Sequence, residues 1–416
     1  MRYLNRELAK LVSKTVETRP LIYLNGPRQV GKSTLAEHIF SSKEINYISF
    51  DSPIILTAAK SDPGVFVQSL PENKLNIIDE IQMAPEIFIH LKIAIDKSRK
   101  EGSAAKLFLL TGSANLLALP KLSESLVGRM SVLTLLPFSS AEYRQSGVNF
   151  VERLWEDDLA YHKYKNEDML DMITGATYPE IAMEKKINRI QWFDDYLTTI
   201  LQRDIQTVAE IRNPERVIQL LAMLSMRVGG LLNNAAISRE AGFDVKTYDR
   251  YKGAVRNMFL ISELPPWAMP NRLGKRFVRA PKLYFNDTNM LCYLMRRDIH
   301  DIYKTDRNMM GHLFENFIAN EIMKNANALT DVTVSHFNSA DGKEIDFVLE
   351  KLNGETIGIE VKLSSTLSDK DFANMALLRR IAEKKFVKGI VIYSGRELLP
   401  WGDKLWAVPV NYLWNK

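Results

Sequence analysis

Five short apolar runs recur through the first third of the chain, each giving way to a polar or glycine-bearing turn. They are Leu21-Ile22-Tyr23-Leu24, Asn46-Tyr47-Ile48-Ser49-Phe50, Leu75-Asn76-Ile77-Ile78, Leu107-Phe108-Leu109-Leu110 and Val132-Leu133-Thr134-Leu135-Leu136. Ser33 to Phe40 and Pro85 to Lys100 carry their apolar residues at helical spacing, as does the charged segment Met1 to Arg19. Apolar strands alternating with helices predict a parallel sheet covered on both faces, hence an α/β fold. Ligands of such sheets bind beyond the carboxyl ends of the strands.

The pattern then changes. Glu152 to Leu170 and Trp192 to Ile205 have helical spacing, with Gly175-Ala176-Thr177-Tyr178-Pro179-Glu180 as a turn between them. Asn233 to Leu260 has a helix-turn-helix rhythm: Ala235 to Ala241, a turn at Gly242, then Val245 to Met258. Ile261 to Trp267 and Phe277 to Phe285 read as a wing-like hairpin. The last quarter reads as a helix (Gly311 to Asn325), three strands (Val332 to Phe337, Glu344 to Leu352, Glu355 to Leu363), a helix (Asp369 to Lys384) and a strand (Gly389 to Tyr393). The expected organisation is a sheet domain over 1–145, a helical subdomain over 146–220, a winged-helix-like module over 221–285 and an α/β domain over 286–416.

Composition narrows the field little. At 416 residues, two to four domains are expected. A formal charge of +5 is too mild to name a partner. The one cysteine, Cys292, excludes a disulfide framework and a cysteine-based metal site, and fits a reducing cytoplasm. No apolar run approaches a membrane span.

The sharpest chemistry follows the first strand. Gly26-Pro27-Arg28-Gln29-Val30-Gly31-Lys32-Ser33 fits G-x-x-x-x-G-K-[ST], between a strand and a helix. The glycines let backbone N–H groups reach phosphates, and the helix N-terminus adds partial positive charge. Lys32 can reach the β- and γ-phosphates, Ser33 can hold Mg²⁺, and Thr34 extends the loop. Asp79-Glu80 ends the third strand, so Asp79 is expected to serve Mg²⁺ and Glu80 to polarise the attacking water. Ser113, or Asn115 beyond it, can sense the γ-phosphate. Arg129 is either an arginine finger or a surface salt-bridge partner, and Arg203 either a lid-side contact or a structural one.

These features resemble the AAA-type ATPases of the P-loop superfamily. GPRQVGKSTL, IIDEIQ, LTGSAN, VGR and LPFSSAEY are similar to the motifs of one prokaryotic group of such ATPases. The resemblance covers the first third of the chain and implies ATP as the nucleotide. It also implies a helical subdomain after the core.

Two further segments suggest nucleic acid. Between Lys246 and Lys282 lie nine basic residues: Lys246, Arg250, Lys252, Arg256, Arg272, Lys275, Arg276, Arg279 and Lys282. Tyr248, Tyr251 and Trp267 are interleaved, and only Asp249 and Glu263 oppose. Such a stretch suits phosphate-backbone contact, with DNA favoured over RNA, unless the module packs between domains. In the last domain, alternation puts Ile345, Phe347 and Leu349 on one face, and Ile357, Ile359, Val361 and Leu363 on one face of the next strand. Asp346, Glu360 and Lys362 then share the other face. Asp346 can oppose Glu360 only across an odd-numbered loop, so a three-residue turn, Leu352-Asn353-Gly354, is expected. With Glu315 from the preceding helix, the carboxylates suit Mg²⁺, and Lys362 can orient a water.

This set resembles the PD-(D/E)xK restriction-endonuclease-like superfamily: Asp346, thirteen residues, then Glu360-Val361-Lys362. No proline precedes Asp346. The resemblance implies an Mg²⁺-dependent nuclease domain, although this fold can lose cleavage and keep binding. The leading expectation is an ATP-hydrolysing protein acting on nucleic acid. The rival is a regulatory ATPase whose last domain docks a protein, and a homo-oligomer is open in either case. A kinase is disfavoured, because no second substrate domain or lid follows in the usual place.

Overall fold

The computed structural model describes residues 2–40, 44–101, 106–113, 128–156, 158–203, 211, 213–268, 280–339 and 341–415. Its contacts divide it into two compact units. One comprises Asn5–Pro137 with Asn257–Phe259; the other comprises Met1–Leu4, Phe138–Arg256 and Leu260–Lys416.

The N-terminal unit is built on five strands: β1 (Leu21–Asn25), β2 (Ile45–Ser49), β3 (Leu75–Asp79), β4 (Leu107–Gly112) and β5 (Met130–Thr134). Their order is β2-β3-β4-β1-β5 and every pairing is parallel. All of the expected strands are present. β1 and β3 are buried at every position, as strands covered on both faces must be. One core cluster joins Tyr23, Ile78, Phe108 and Leu110 of the sheet to Phe88, Leu91 and Ile95 of the helix Ile87–Glu101. This is a parallel α/β sheet, with the loop after β1 at its carboxyl edge.

The C-terminal unit opens with helices. A single helix over 152–170 does not form. Helix Phe150–Glu156 ends early, β6 (His162–Lys163) follows, and helix Met169–Gly175 starts where Asp168 accepts from the N–H groups of Leu170 and Asp171. A local cap and a distant strand partner together override the helical spacing. Helix Arg189–Arg203 stacks Trp192 on Tyr196, with ring centroids 5.0 Å apart. Helices Glu215–Ser225, Asn234–Glu240 and Val245–Asn257 lead into β7 (Ile261–Leu264), which pairs antiparallel with β8 (Lys282–Phe285).

The remaining strands are β9 (Val332–Asn338), β10 (Glu344–Lys351), β11 (Thr356–Lys362), β12 (Phe386–Tyr393), β13 (Glu397–Gly402) and β14 (Leu405–Pro409). With β6 they form one sheet of order β6-β13-β14-β12-β11-β10-β9. The helical spacing over 369–384 resolves into a 3₁₀ turn, Asp369–Phe372, and a shorter helix, Met375–Ala382. Phe347 faces Ile359 and Leu349 faces Ile357, so the connecting loop is Leu352-Asn353-Gly354. Gly354 takes φ +83°, the left-handed turn position. This parity sets Asp346 and Glu360 opposite each other. Ile345, Asp346, Phe347, Val348 and Leu349 are all buried, so the face carrying the carboxylates is packed rather than solvated. Cys292 is buried, and that burial pushes its thiol up to about 12. Among the described residues, no helix is long and apolar enough to cross a membrane.

Candidate functional sites

The loop after β1 is shaped by what it leaves out. Gly26 has φ +142°, and a Cβ there would lie 2.1 Å from the Leu135 carbonyl oxygen. Only glycine fits so close an approach. Gly31, at φ +87°, turns the chain into helix Lys32–Ile39. Arg6 anchors the loop, donating to the carbonyls of Val30 (2.8 Å) and Leu136 (2.5 Å).

Lys32 is buried, and its ammonium donates to the carbonyls of Gly26 (3.1 Å) and Pro27 (2.7 Å) inside the loop. The Ser33 hydroxyl lies 2.9 Å from both oxygens of Asp79. Asp79 also accepts from the Tyr47 hydroxyl (2.7 Å) and from Thr111. Burial, then the Asp79 carboxylate, raises the Tyr47 phenol well above its ordinary value. Thr34 is exposed on the first helical turn.

Glu80 takes a left-handed conformation (φ 57°, ψ 42°), so the chain pivots directly after Asp79. Its carboxylate accepts from Gln82, whose amide also donates to the Ser113 hydroxyl (3.1 Å). Arg28 lies 4.0 Å from Glu80. Burial pushes the Glu80 carboxyl above the usual range, while Arg28 and Lys32 pull it down. A raised carboxyl is a better proton acceptor at neutral pH.

Lys32, Ser33, Asp79, Glu80 and Ser113 therefore meet at one edge. The donor set fits the implied Mg²⁺: a hydroxyl and a carboxylate already in contact are hard oxygen ligands that leave positions for water and phosphate. Tyr47, Thr111, Gln82 and Arg6 join this edge without a role expected from sequence. Tyr47 belongs to an apolar run and Thr111 directly follows one, but nothing local says they converge on Asp79. Arg129 takes up the salt-bridge alternative within its own chain. It precedes β5, whose first residue, Met130, pairs with Leu21 at the amino end of β1. Its guanidinium is held by Asp96 at 2.6 and 3.0 Å. Arg129 is therefore not part of this cluster within its own chain. Asn115 and the side chain of Arg203 lie outside the described residues.

The second cluster centres on a residue expected elsewhere. Lys282, counted among the nucleic-acid contacts, is only 2% exposed. Its ammonium lies 2.6 Å from Glu344, 2.9 Å from Asp346 and 3.3 Å from Glu315. Burial opposes its charge, but the three carboxylates outweigh that and hold it protonated. Tyr284 donates to Glu315 (2.7 Å), and the Val361 N–H to the other Asp346 oxygen (2.9 Å). Burial would raise Asp346, yet Lys282 and the Val361 N–H hold it below the ordinary range. Burial and the Asp346 charge push Glu360 up to about 9, despite Lys362 at 3.4 Å. Glu315 rises to about 7, by burial and then Asp346.

Glu315, Asp346, Glu360 and Lys362 do come together, with Glu344 added. The expected Mg²⁺ does not fit: an ammonium takes the lone pairs a metal would need. Among the described residues, no group of three His, Cys, Asp or Glu side chains is arranged to hold a metal ion.

The basic stretch is also thinner than its sequence. Lys252 and Arg256 pair with Glu263 at 2.7 and 2.9 Å. Tyr248, Tyr251 and Trp267 are buried, so these aromatics pack the module rather than meet bases. Lys246 and Arg250 are exposed on helix Val245–Asn257. Arg272, Lys275, Arg276 and Arg279 lie outside the described residues.

Three family matches divide the chain. Residues 18–144 match the AAA domain, 166–301 a domain of unknown function designated DUF8612, and 310–413 one designated DUF4143. Uncharacterized proteins of Mycobacterium bovis and Mycobacterium tuberculosis are each 27% identical over 410 residues, 98% of this chain and 84% of theirs. Among solved structures, a Walker-type ATPase of Pyrococcus abyssi is 12% identical, covering 71% of this chain and 98% of its own (TM-score 0.41). A point variant of RuvB from Thermotoga maritima is 19% identical over 63% of this chain and 91% of its own, with a TM-score of 0.29. The AAA match and the loop geometry together support ATP binding and hydrolysis by the N-terminal unit.

Proposed function

We propose that the protein hydrolyses ATP at the Gly26–Ser33 loop and uses that cycle to act on DNA. The contact of Ser33 with Asp79 behind a glycine-only turn carries the first half of this reading. Backbone N–H groups of the loop and Lys32 bind the phosphates. Ser33 and Asp79 would hold Mg²⁺, which would neutralise charge on the phosphates. Glu80 orients and deprotonates the attacking water, and Gln82 couples Glu80 to Ser113, a sensor of the γ-phosphate.

The DNA half rests on the order of elements over 215–285. Three helices followed by an antiparallel strand pair support a winged-helix reading, with Val245–Asn257 as the groove-facing helix. Lys246, Arg250 and Arg256 are exposed along it, with Asp249 between them. The boundaries 145/146, 220/221 and 285/286 belong to this proposal, as does a restriction-endonuclease-like fold for the last segment. The strand order β9-β10-β11-β12, with Asp346, Glu360 and Lys362 together, supports that fold.

The Lys282 contacts favour a last domain that binds without cutting, and hence also the docking reading. Filter binding of duplex DNA at low salt tests the proposal. Lys246→Ala/Arg250→Ala should weaken binding and flatten its salt dependence by about two charges. No DNA retention by the parent would end the DNA reading and leave protein docking. Mg²⁺-dependent nicking of supercoiled DNA, abolished by Lys362→Ala, would instead establish cutting.

A further inference from the structure

We propose that Lys282 is the resident cation of the Glu315/Glu344/Asp346 cluster, a tethered ammonium in the role of a metal, so that the C-terminal unit needs no divalent ion. The inference deepens the non-cutting reading of that cluster but does not depend on DNA binding.

An ammonium has three N–H donors, and three carboxylates surround this one, at 2.6, 2.9 and 3.3 Å. The residue is 2% exposed, so the charge has left water for this site alone. The acceptor capacity that remains is partly taken: Tyr284 donates to the Glu315 oxygen, and Val361 to the second Asp346 oxygen. Magnesium asks for oxygen ligands at about 2.0–2.1 Å in octahedral array and gives up its waters reluctantly. It would have to displace a fixed positive charge from a buried pocket where like charges repel strongly. The ammonium comes from β8, 64 residues before Asp346 in the chain. The carboxylate motif therefore persists while a different segment supplies its counter-charge.

The test uses the full chain without nucleotide and Mn²⁺ alone as the probe, counted by loss of the free-ion electron paramagnetic resonance signal. The parent and Asp346→Asn should take up the same Mn²⁺. Lys282→Met should gain one site that the parent lacks. Lys282→Met/Asp346→Asn should lose it again. A parent site that Asp346→Asn removes would overturn the proposal, as would no gain in Lys282→Met.

Should Lys282→Met not fold, the parent still decides. All six tryptophans lie beyond residue 150, so tryptophan fluorescence follows unfolding of this unit. A urea midpoint unchanged by EDTA and by millimolar Mn²⁺ supports the tethered cation. A saturable rise with Mn²⁺ refutes it.

Discussion

Replacing Gly26 with alanine separates steric exclusion from backbone strain, because Gly31 offers a matched control. Both glycines have positive φ, +142° and +87°. A side chain in left-handed backbone costs about 1–2 kcal/mol at either. Around Gly31 an added Cβ meets nothing within 4 Å, so strain is the whole cost. At Gly26 the Cβ would stand 2.1 Å from the Leu135 oxygen, where real contacts stay beyond 3.0 Å. The β1–β5 edge must open by roughly an ångström, and forced shifts of that kind cost about 1–3 kcal/mol more. Gly26→Ala should therefore open β1 and β5 about 5- to 150-fold more often than Gly31→Ala. The N-terminal unit contains no tryptophan, so hydrogen exchange of peptides spanning β1 and β5 is the suitable assay. ATP binding, measured by equilibrium dialysis, should fall with it. Exchange rates within twofold of each other in the two variants would refute the close approach at Leu135.

Glu80→Gln should bind ATP nearly as the parent does but turn it over about 10²–10⁴-fold more slowly; equal loss of both would make Glu80 a ligand rather than a base. Arg129→Ala should leave turnover in dilute solution within about twofold, and a loss that grows with protein concentration would mean service to a neighbouring subunit. The C-terminal unit should lose stability as pH rises. Glu315 and Glu321 sit near 7 and Glu360 near 9, all above the ordinary 4.5, so the folded unit holds more protons than the unfolded chain between about 4.5 and 9. Asp346 is held low, so its contribution is lost only below its ordinary 3.8; that of Lys282, held high, is complete below its ordinary 10.5. The urea midpoint followed by tryptophan fluorescence should therefore be higher at pH 6 than at pH 8.5, and the reverse order would refute this sign.

What could be read along the chain was whatever local pattern controls. The five strands of the first sheet are apolar over their own length, and the phosphate loop is contiguous from Gly26 to Ser33. The turn at Leu352-Asn353-Gly354 followed from parity, since one residue more or fewer would have sent Asp346 to the opposite face. Distant partners left no trace. Arg6, in the segment before helix Leu8–Thr18, reaches the carbonyls of Val30 and Leu136, and the helical spacing that follows says nothing of it. β6 is two residues long and exists because β13 offers an edge. Lys282 looked like one more basic residue in a basic stretch. Only the packing of β8 against the helix Arg307–Ala326 shows that its charge faces inward.

The ammonium of Lys282 also constrains how this sequence can drift. Removing one partner of a buried ion cluster costs about 3–5 kcal/mol, a large part of a domain's stability. A lineage that loses the lysine first must pass through that loss, and so must one that loses Asp346 first. The viable route changes both together, or first neutralises the half-exposed Glu344, whose carboxylate can return to water. Descendants should therefore carry lysine and carboxylates as one inherited unit, or lack both.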